Sequence, residues 1–436
     1  RNGGGRRNDA GARRFGRAMK KAVVFNLGCK TNQYECDVLA AGLKSMGYET
    51  SDRLEYADVY IVNTCAVTSE AERKSRQILS RIRAHNPQAY IAICGCASQK
   101  NAEFFLKNGV QYVSGVAGKT KLLEYLGQNH SAVDELPSAF EETEFLPSVS
   151  RTRGFVKIQD GCSNFCSYCI IPHLRGAPRS KKIAAAAEEI RALSKSLDEI
   201  VITGINLSFY GKDNGESLAA LMREIKDVDV RVRLGSFYVE GISAELLDAL
   251  FSLKDFCPHF HLSLQNGDDG VLKDMNRRYT TADYKEKVKL IRRYDPLAAI
   301  TTDIIVGYPT ETEESFQNTL NFVKEVGFSD IHIFPFSARE GTKAAKLKPL
   351  DPKTVKDRAA RLAEVRDGLC EQYLKKMLGA AQNVIIEETK DGIAEGYSQY
   401  YVRCYTPLKT PKKRVIIIPD ELYKDGIKGS EKEMPI

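Results

Sequence analysis

The chain contains 436 residues, of which 43% are hydrophobic and 28% charged, and its formal net charge at pH 7 is +7. This length is sufficient for two or three domains, each with its own core. No apolar run comes near the roughly 18 residues of a membrane span, and the eleven cysteines are not accompanied by a secretory signal. Cysteines in a reducing compartment bind metals or carry out redox chemistry, so we expect a soluble, cytoplasmic protein without structural disulfides.

The net charge comes from the beginning of the chain. The first 21 residues contain eight basic residues and one acidic residue, whereas the rest of the chain contains 56 of each. A tail rich in glycine and arginine, as over residues 1–19, is typical of disordered segments, which bind RNA phosphates weakly at most. The charge alone therefore does not indicate a nucleic-acid-binding protein.

Apolar runs of strand length alternate with helix-length segments over residues 20–130, which predicts a parallel sheet in a Rossmann- or flavodoxin-like domain. Strands are predicted at 22–27, 59–62 and 90–93, and a cysteine follows each one: Cys29, Cys65 and Cys96. Because the carboxyl ends of parallel strands line one crevice, these thiols can converge. A single cysteine is often only a buried core residue, but three at equivalent positions favour an iron–sulfur or zinc site.

Residues 131–150 lack periodicity and contain Pro137 and Pro147, which is typical of a linker. Six further strands are predicted within residues 151–378, at 155–159, 199–203, 231–236, 259–264, 300–306 and 330–335. Six βα units form an incomplete barrel related to the eight-unit form, so the fold class is α/β with a partial (β/α)6 barrel. The active face of such a barrel lies at the carboxyl ends of its strands.

A C-x3-C-x2-C run directly follows the first of these strands and consists of Cys162, Cys166 and Cys169. Three thiolates can hold three irons of a cubane cluster and leave the fourth iron open to a small molecule. Disulfides pair cysteines in twos, and a structural zinc site needs a fourth ligand that no histidine at finger spacing supplies. The run therefore predicts a 4Fe–4S cluster with one open iron.

Short strands are predicted after residue 379, at 383–387, 394–405 and 414–418, which indicates a small β-barrel over residues 379–436. Strict alternation would place Tyr401, Arg403 and Tyr405 on one face of its second strand. Tyrosines beside an arginine can stack on exposed RNA bases. The alternative is that these tyrosines pack the core of the barrel, because tyrosine is intermediate in burial.

The cysteine run resembles the signature of the radical S-adenosylmethionine (SAM) superfamily. The stretches NLGCKTN (26–32), NTCAVT (63–68) and GCASQ (95–99) resemble the amino-terminal motifs of its methylthiotransferase family, and the last region resembles the TRAM module that this family uses to bind RNA. Barrel stretches at 261–267, 275–279 and 302–311 also resemble the family and are expected to line the cofactor pocket. The resemblance extends over nearly the whole chain from Lys20.

The resemblance implies two 4Fe–4S clusters and SAM. One cluster would be held by Cys29, Cys65 and Cys96, and the SAM-binding cluster by Cys162, Cys166 and Cys169. The latter would receive an electron from a reductant such as a flavodoxin or ferredoxin and cleave SAM to a 5′-deoxyadenosyl radical, which attacks the C2–H bond of an adenine. The former would carry the sulfur that is methylated and inserted there.

Stretches 27–32 and 203–206 most resemble the branch that methylthiolates N6-threonylcarbamoyladenosine at position 37, in the anticodon loop of tRNA. The alternatives are the branches that act on isopentenyladenosine or on an aspartate of a ribosomal protein, and a non-catalytic iron–sulfur or RNA-binding protein. Three positions depart from the family pattern: Tyr238 replaces a common Glu, Thr310 a Gly and Lys343 a Pro. We expect these to alter pocket detail rather than reaction class. Arg277 and Arg278 are expected either to contact a phosphate or to begin a solvated helix.

Overall fold

The computed structural model describes residues 20–133, 135–149, 151–408 and 412–432, so the predicted tail at 1–19 lies outside the described residues. Within these ranges the chain forms an amino-terminal α/β region, a partial βα barrel and a small closed β-barrel. None of the helices in the described ranges is long and apolar enough to cross a membrane.

The amino-terminal region is a parallel sheet of six strands covered by helices. Its strands are β1 Lys21–Asn26, β2 Glu49–Ser51, β3 Val59–Thr64, β4 Tyr90–Gly95, β5 Tyr112–Ser114 and β6 His130–Ala132. Its helices are α1 Lys30–Ser45, α2 Ser69–His85, α3 Cys96–Lys100 and α4 Ala102–Lys107. The strand order is β2-β1-β3-β4-β5-β6. Every residue of β3 is buried, as expected of a central parallel strand covered on both faces. The three predicted strands are β1, β3 and β4, and β6 extends two residues into the predicted linker.

The middle region contains the six predicted barrel strands in two four-stranded sheets. The strands are β7 Arg153–Asp160, β8 Arg179–Ser180, β9 Glu199–Gly204, β10 Arg231–Leu234, β11 Ser236–Phe237, β12 His259–Leu262, β13 Ala299–Val306 and β14 Asp330–Pro335. The sheet orders are β10-β9-β7-β8 and β11-β12-β13-β14, with β8 antiparallel to β7. The strand predicted at 231–236 is interrupted at Gly235, because β10 pairs with β9 and β11 pairs with β12. The prediction of a partial barrel with six parallel units is otherwise confirmed.

Eight helices follow or cover these strands: α5 Ile171–Arg175, α6 Ile183–Leu193, α7 Leu218–Glu224, α8 Ala244–Phe251, α9 Asp269–Asp274, α10 Thr281–Tyr294, α11 Glu313–Val326 and α12 Pro352–Met377. The main core lies between strands and helices and includes Ile200, Phe260 and Phe316, each at most 1% exposed. Helix α12 begins at a Pro in its first turn, after Asp351 has capped the free N–H groups, which is a favourable start.

The carboxy-terminal region is a closed five-stranded barrel. Its strands are β15 Gln382–Lys390, β16 Ile393–Ser398, β17 Arg403–Pro407, β18 Arg414–Tyr423 and β19 Gly426–Glu431. They close in the order β15-β16-β17-β19-β18. The barrel packs against the amino ends of the βα-barrel strands, where the first residue of β10, Arg231, donates to the carbonyl of Asn383 at 2.7 Å. The first residue of β7, Arg153, forms an ion pair with Glu387.

Candidate active site

The structure brings Cys29, Cys65 and Cys96 to one cavity of about 380 Å³ between the first sheet and the βα barrel. Each cysteine lies just beyond its strand, and Cys29 and Cys96 stand at the starts of α1 and α3. Gly95 has a positive φ of 103°, and a Cβ there would collide with the side chain of Asn63. Glycine therefore permits the sharp turn that places Cys96 in the cavity.

The opposite wall of this cavity consists of residues on the barrel strands or directly after them: Thr203, Gly204, Ile205, Ser236, His261, Asp303 and His332. The turns that carry the cysteines are held by amide side chains. Asn32 donates to Asn63 Oδ1 at 3.1 Å and to the Thr64 carbonyl at 3.0 Å. These bonds fix the loop after β1 against the end of β3, so the positions of Cys29 and Cys65 are set by the same contacts.

A buried ion network lies behind the three cysteines and joins the first region to the barrel. It consists of two carboxylates and four cations: Glu35, Asp160, Lys119, Lys157, Arg175 and Arg179. Burial alone would raise the pKa of Glu35, but Lys119, Lys157 and Arg175 hold it well below its usual value. The pKa of Asp160 is likewise lowered against the effect of burial, first by Arg175. Both carboxylates are therefore ionised at neutral pH, and the network carries two positive charges in excess.

The excess charge faces the cysteines through Arg175, whose Nε donates to Cys96 Sγ at 3.4 Å. A cation at this distance stabilises a thiolate, which is the form that ligates metal. One Zn²⁺ with Zn–S bonds of about 2.3 Å would draw its thiolates to about 3.8 Å from one another. Among the described residues, the sulfurs of neither cysteine triad all lie within 4.8 Å of one another. The sulfurs of each triad are therefore spread more widely than a single zinc ion would hold them.

The second triad occupies the loop after β7. Gly161 begins this loop with a φ of 76°, and a Cβ at that position would meet the carbonyl of Ala177. The loop is closed by backbone bonds, because Cys162 N donates to the Gly176 carbonyl and Cys169 N to the Cys166 carbonyl, both at 3.0 Å. Cys162, Cys166 and Cys169 thus lie on one short, firmly held segment, as three ligands of one cluster require.

Arg277 supplies the positive charge for this second triad. Its Nη1 lies 3.5 Å from Cys166 Sγ, and its guanidinium stacks on the ring of Tyr238 at 4.1 Å. Burial raises the pKa of Cys169 to about 12, an effect that Arg277 opposes. Arg277 is 8% exposed and lies before α10, which begins at Thr281, so the expectation of a solvated helix start is wrong for it. Arg278 is exposed and lines a separate small cavity.

Two histidines and one aspartate form a hydrogen-bonded group in the barrel wall of the cavity. Asp303 accepts from His261 Nε2 at 3.1 Å and from His332 Nδ1 at 3.2 Å. The hydrogen bond to Asp303 raises the pKa of His332. Burial opposes ionisation of Asp303, but the two histidines hold its pKa well below the usual value. The group is internally satisfied and forms a polar wall opposite the first triad.

The structure separates Tyr401 from Arg403 and Tyr405, two of the three residues proposed for RNA contact, and corrects the predicted strand. Tyr401 lies in the turn before β17 with a φ of 63°, and its ring stacks on that of Tyr397 at 4.9 Å. Arg403 is held between Glu395 and Asp425, both at 2.8 Å. Tyr405 is 1% exposed and donates its hydroxyl hydrogen to Asp425. Arg403 and Tyr405 do lie on one face, since both contact Asp425 and the guanidinium lies 5.7 Å from the centre of the Tyr405 ring. Tyr401 does not share that face, because the turn breaks the alternation.

The three residues that depart from the family pattern lie in different surroundings. Thr310 and Lys343 are exposed, so both substitutions lie on the surface. Tyr238 instead covers Arg277 beside the second triad. Sequence reasoning did not identify Arg175 or the ion network. Two features of the sequence could have indicated the network. Lys157 is a charged residue inside the apolar run of β7, and Arg175 follows Cys169 by six residues.

Two family profiles match the chain. The Radical SAM superfamily matches residues 156–323, and the uncharacterized protein family UPF0004 matches residues 21–117.

Curated relatives match most of the chain. The threonylcarbamoyladenosine tRNA methylthiotransferase MtaB of Thermotoga maritima is 39% identical over 395 residues, 88% of this chain and 91% of its own length. The enzyme of the same name from Bacillus subtilis is 35% identical and covers 88% and 90%. The tRNA-2-methylthio-N(6)-dimethylallyladenosine synthase of Clostridium tetani is 36% identical and covers 83% and 84%.

Solved structures support the fold alone. The radical SAM methyltransferase TsrM of Kitasatospora setae aligns with a TM-score of 0.53 at 14% identity, over 72% of this chain and 73% of that one. The cobalamin-dependent radical SAM enzyme OxsB aligns with a TM-score of 0.51 at 13% identity, over 80% and 56%.

Proposed function

The chain belongs to the methylthiotransferase family of radical SAM enzymes, and on that premise we propose that it methylthiolates C2 of N6-threonylcarbamoyladenosine at position 37 of tRNA. Membership implies a 4Fe–4S cluster and SAM, a one-electron reductant and a methylthiotransferase activity. The proposal also includes two clusters, an anticodon-loop substrate, and a flavodoxin or ferredoxin as the reductant.

The observation that carries the proposal is the shared cavity. It is lined by all three amino-terminal cysteines on one side and by residues of the barrel strands β9, β11, β12, β13 and β14 on the other. Methylthiolation needs a sulfur source and a radical source beside the same carbon atom. The second triad does not line this cavity, but the helix that follows its loop, α5, contributes Ile171 and Arg175 to the lining. We therefore place the base in this cavity, between the two regions that carry the triads.

We assign one cluster to Cys29, Cys65 and Cys96 and the other to Cys162, Cys166 and Cys169. When bound, the clusters supply the electron that cleaves SAM and the sulfur that is transferred. The protein holds the thiolates, and Arg175 and Arg277 each place a guanidinium within 3.5 Å of one cysteine sulfur. These two cations offset the negative charge of buried thiolates, whose ionisation burial disfavours.

We also propose the division into domains that the sequence suggested. Residues 20–130 hold the first cysteine triad, 131–150 connect, 151–378 form the radical SAM core and 379–436 form the RNA-binding module. The ion pair between Arg153 and Glu387 supports a fixed position of the last module against the core. A target adenosine must leave its stack to reach the cavity, at a cost of a few kcal/mol, and a fixed module helps to align it.

The test is to express the chain in a host that lacks its own methylthiotransferases and to analyse digested total tRNA by mass spectrometry. Appearance of 2-methylthio-N6-threonylcarbamoyladenosine supports the proposal, whereas the isopentenyl analogue would move the chain to the sister branch. If neither nucleoside appears although both clusters are loaded, a ribosomal-protein substrate takes its place.

Two cysteine variants test which triad is needed for SAM cleavage and which for sulfur insertion. Cys162→Ala is expected to abolish formation of 5′-deoxyadenosine. Cys65→Ala should retain part of it and yet insert no sulfur. Unchanged SAM cleavage in Cys162→Ala would contradict the assignment.

A further inference from the structure

A second cavity, of about 730 Å³, lies where the three regions meet, and we call it the junction cavity. It is lined by Asn26, Gly28, Cys29, Lys30, Gln33, Arg151, Thr152, Arg153, Phe155 and Glu387. Cys29 and Lys30 also line the cavity that holds the cysteine triad, so the two spaces adjoin at these residues. The junction cavity therefore extends from the carboxy-terminal barrel, at Glu387, to the first cysteine. Its size suits a small organic ligand.

Three cations line the junction cavity, and two of them are neutralised within the protein. Arg151 forms an ion pair with Asp37 at 2.6 Å. Arg153 forms ion pairs with Glu199 at 2.9 Å and with Glu387. Their charges are balanced by protein carboxylates.

Lys30 differs from both arginines. Within the part of the chain that the structure describes, no carboxylate oxygen lies within 4.0 Å of its Nζ and no side-chain hydrogen bond involves it. Lys30 is the first residue of α1, directly after Cys29, and its side chain is partly exposed to both cavities. A cation that lines a polar cavity and has no carboxylate in contact with it is a suitable site for an anionic ligand.

We propose that Lys30 binds the carboxylate of the threonylcarbamoyl group and so selects the substrate. This inference rests on the proposed function, because that group ends in a carboxylate whereas an isopentenyl group carries no charge. The wall beside Lys30 offers further polar partners, since Asn26 and Gln33 are joined by a hydrogen bond of 3.0 Å and both line the cavity. Both amides are also held in place by the protein, because Asn26 Oδ1 accepts from Gly28 N at 2.8 Å and Gln33 Nε2 donates to Asp37 Oδ1 at 3.0 Å.

A competing role for Lys30 is to stabilise the neighbouring Cys29 as a ligand. The two roles predict different results, because ligand stabilisation would affect iron content and not distinguish between substrates. The carboxylate role predicts that affinity depends on the charge of the substrate and of residue 30 together.

The experiment measures binding of two anticodon stem-loops to the reconstituted holoenzyme by fluorescence anisotropy. One stem-loop carries N6-threonylcarbamoyladenosine and the other carries its uncharged methyl ester. The wild type should bind the acid about 10- to 100-fold more tightly, as expected for a hydrogen bond to a charged group. Lys30→Gln should bind both equally, and Lys30→Arg should retain the preference. Arg151→Gln, at the same cavity wall but paired with Asp37, should also retain it.

A Lys30→Gln enzyme that still prefers the acid would overturn the inference. So would a wild type that methylthiolates the acid stem-loop but binds acid and ester equally, a result that leaves the proposed function intact. A wild type with both clusters loaded that methylthiolates neither stem-loop would instead overturn the proposed function.

Discussion

Replacement of Arg175 by Met is expected to destabilise the protein strongly, because this arginine is the central cation of the buried network. Its side chain is 1% exposed and lies 2.9 Å from Asp160 and 3.3 Å from Glu35. It also donates to Asn32 Oδ1 at 2.9 Å. Methionine keeps much of the volume of the arginine and removes only its charge and its donors, so the effect reports on the network rather than on packing.

The magnitude follows from burial and from the partners that remain. Breaking a buried ion pair by removing one member costs about 3–5 kcal/mol. Glu35 and Asp160 both keep Lys157 as a partner, at 3.1 and 3.3 Å, and neighbouring cations repel Arg175 in the native protein. Both facts favour the lower end of the range, so we expect a loss of about 3 kcal/mol in the free energy of unfolding.

The measurement is urea unfolding of the reduced, cluster-free protein, followed by far-ultraviolet circular dichroism. The control is Arg191→Met, because Arg191 lies 2.6 Å from Glu224 but both side chains are 49% exposed. Exposed pairs of this kind contribute about 0–1 kcal/mol. If the two variants lost stability equally, or if Arg175→Met lost less than about 1 kcal/mol, the reasoning from burial would be refuted.

Three further substitutions test other parts of the structure. Gly161→Ala should lower the iron content after reconstitution, because the new Cβ would meet the Ala177 carbonyl, and unchanged iron would contradict the described loop. Tyr405→Ala should cost about 3–5 kcal/mol in urea unfolding, since the ring is buried; a stability like that of the wild type would show that the ring does not belong to the core. Asp303→Asn should lower the pKa of His332, which the hydrogen bond to Asp303 raises. In the wild type, the stabilisation from this bond is therefore fully present below the ordinary histidine pKa. It is lost as the pH rises through the raised pKa of His332. If Asp303→Asn left the NMR titration of His332 unchanged, the role assigned to the bond would be contradicted.

The regular parts of the fold were predictable from local pattern. Strands β1, β3 and β4 are long apolar runs, and the six barrel strands repeat at intervals that leave room for a helix. The positions of the six cysteines followed from these strands, because a residue just beyond a parallel strand must lie at the carboxyl edge of the sheet. Strands β2, β5 and β6 have three residues each. They are too short to show a hydrophobic pattern from which a strand could be predicted.

The errors arose where tertiary contacts override the local pattern. The run at 231–236 reads as one strand, but Gly235 lets the chain change its hydrogen-bonding partner from β9 to β12. The alternation at 401–405 failed because Tyr401 adopts a positive φ and packs on Tyr397. Neither feature is visible in composition or spacing. The first depends on strands that are distant in the sequence, and the second depends on a positive φ, which a tyrosine rarely adopts.

The ion network shows why the two cysteine triads must be considered together. The loop that begins at Cys162 ends in α5, whose last residue is Arg175, and Gly176 then closes the loop by accepting from Cys162 N. The segment that positions one triad therefore also delivers the cation that contacts Cys96 of the other. A displacement of this loop would alter both sites at once. We therefore expect loop substitutions such as Gly161→Ala to reduce iron at both triads, whereas a substitution confined to Cys65 should affect one.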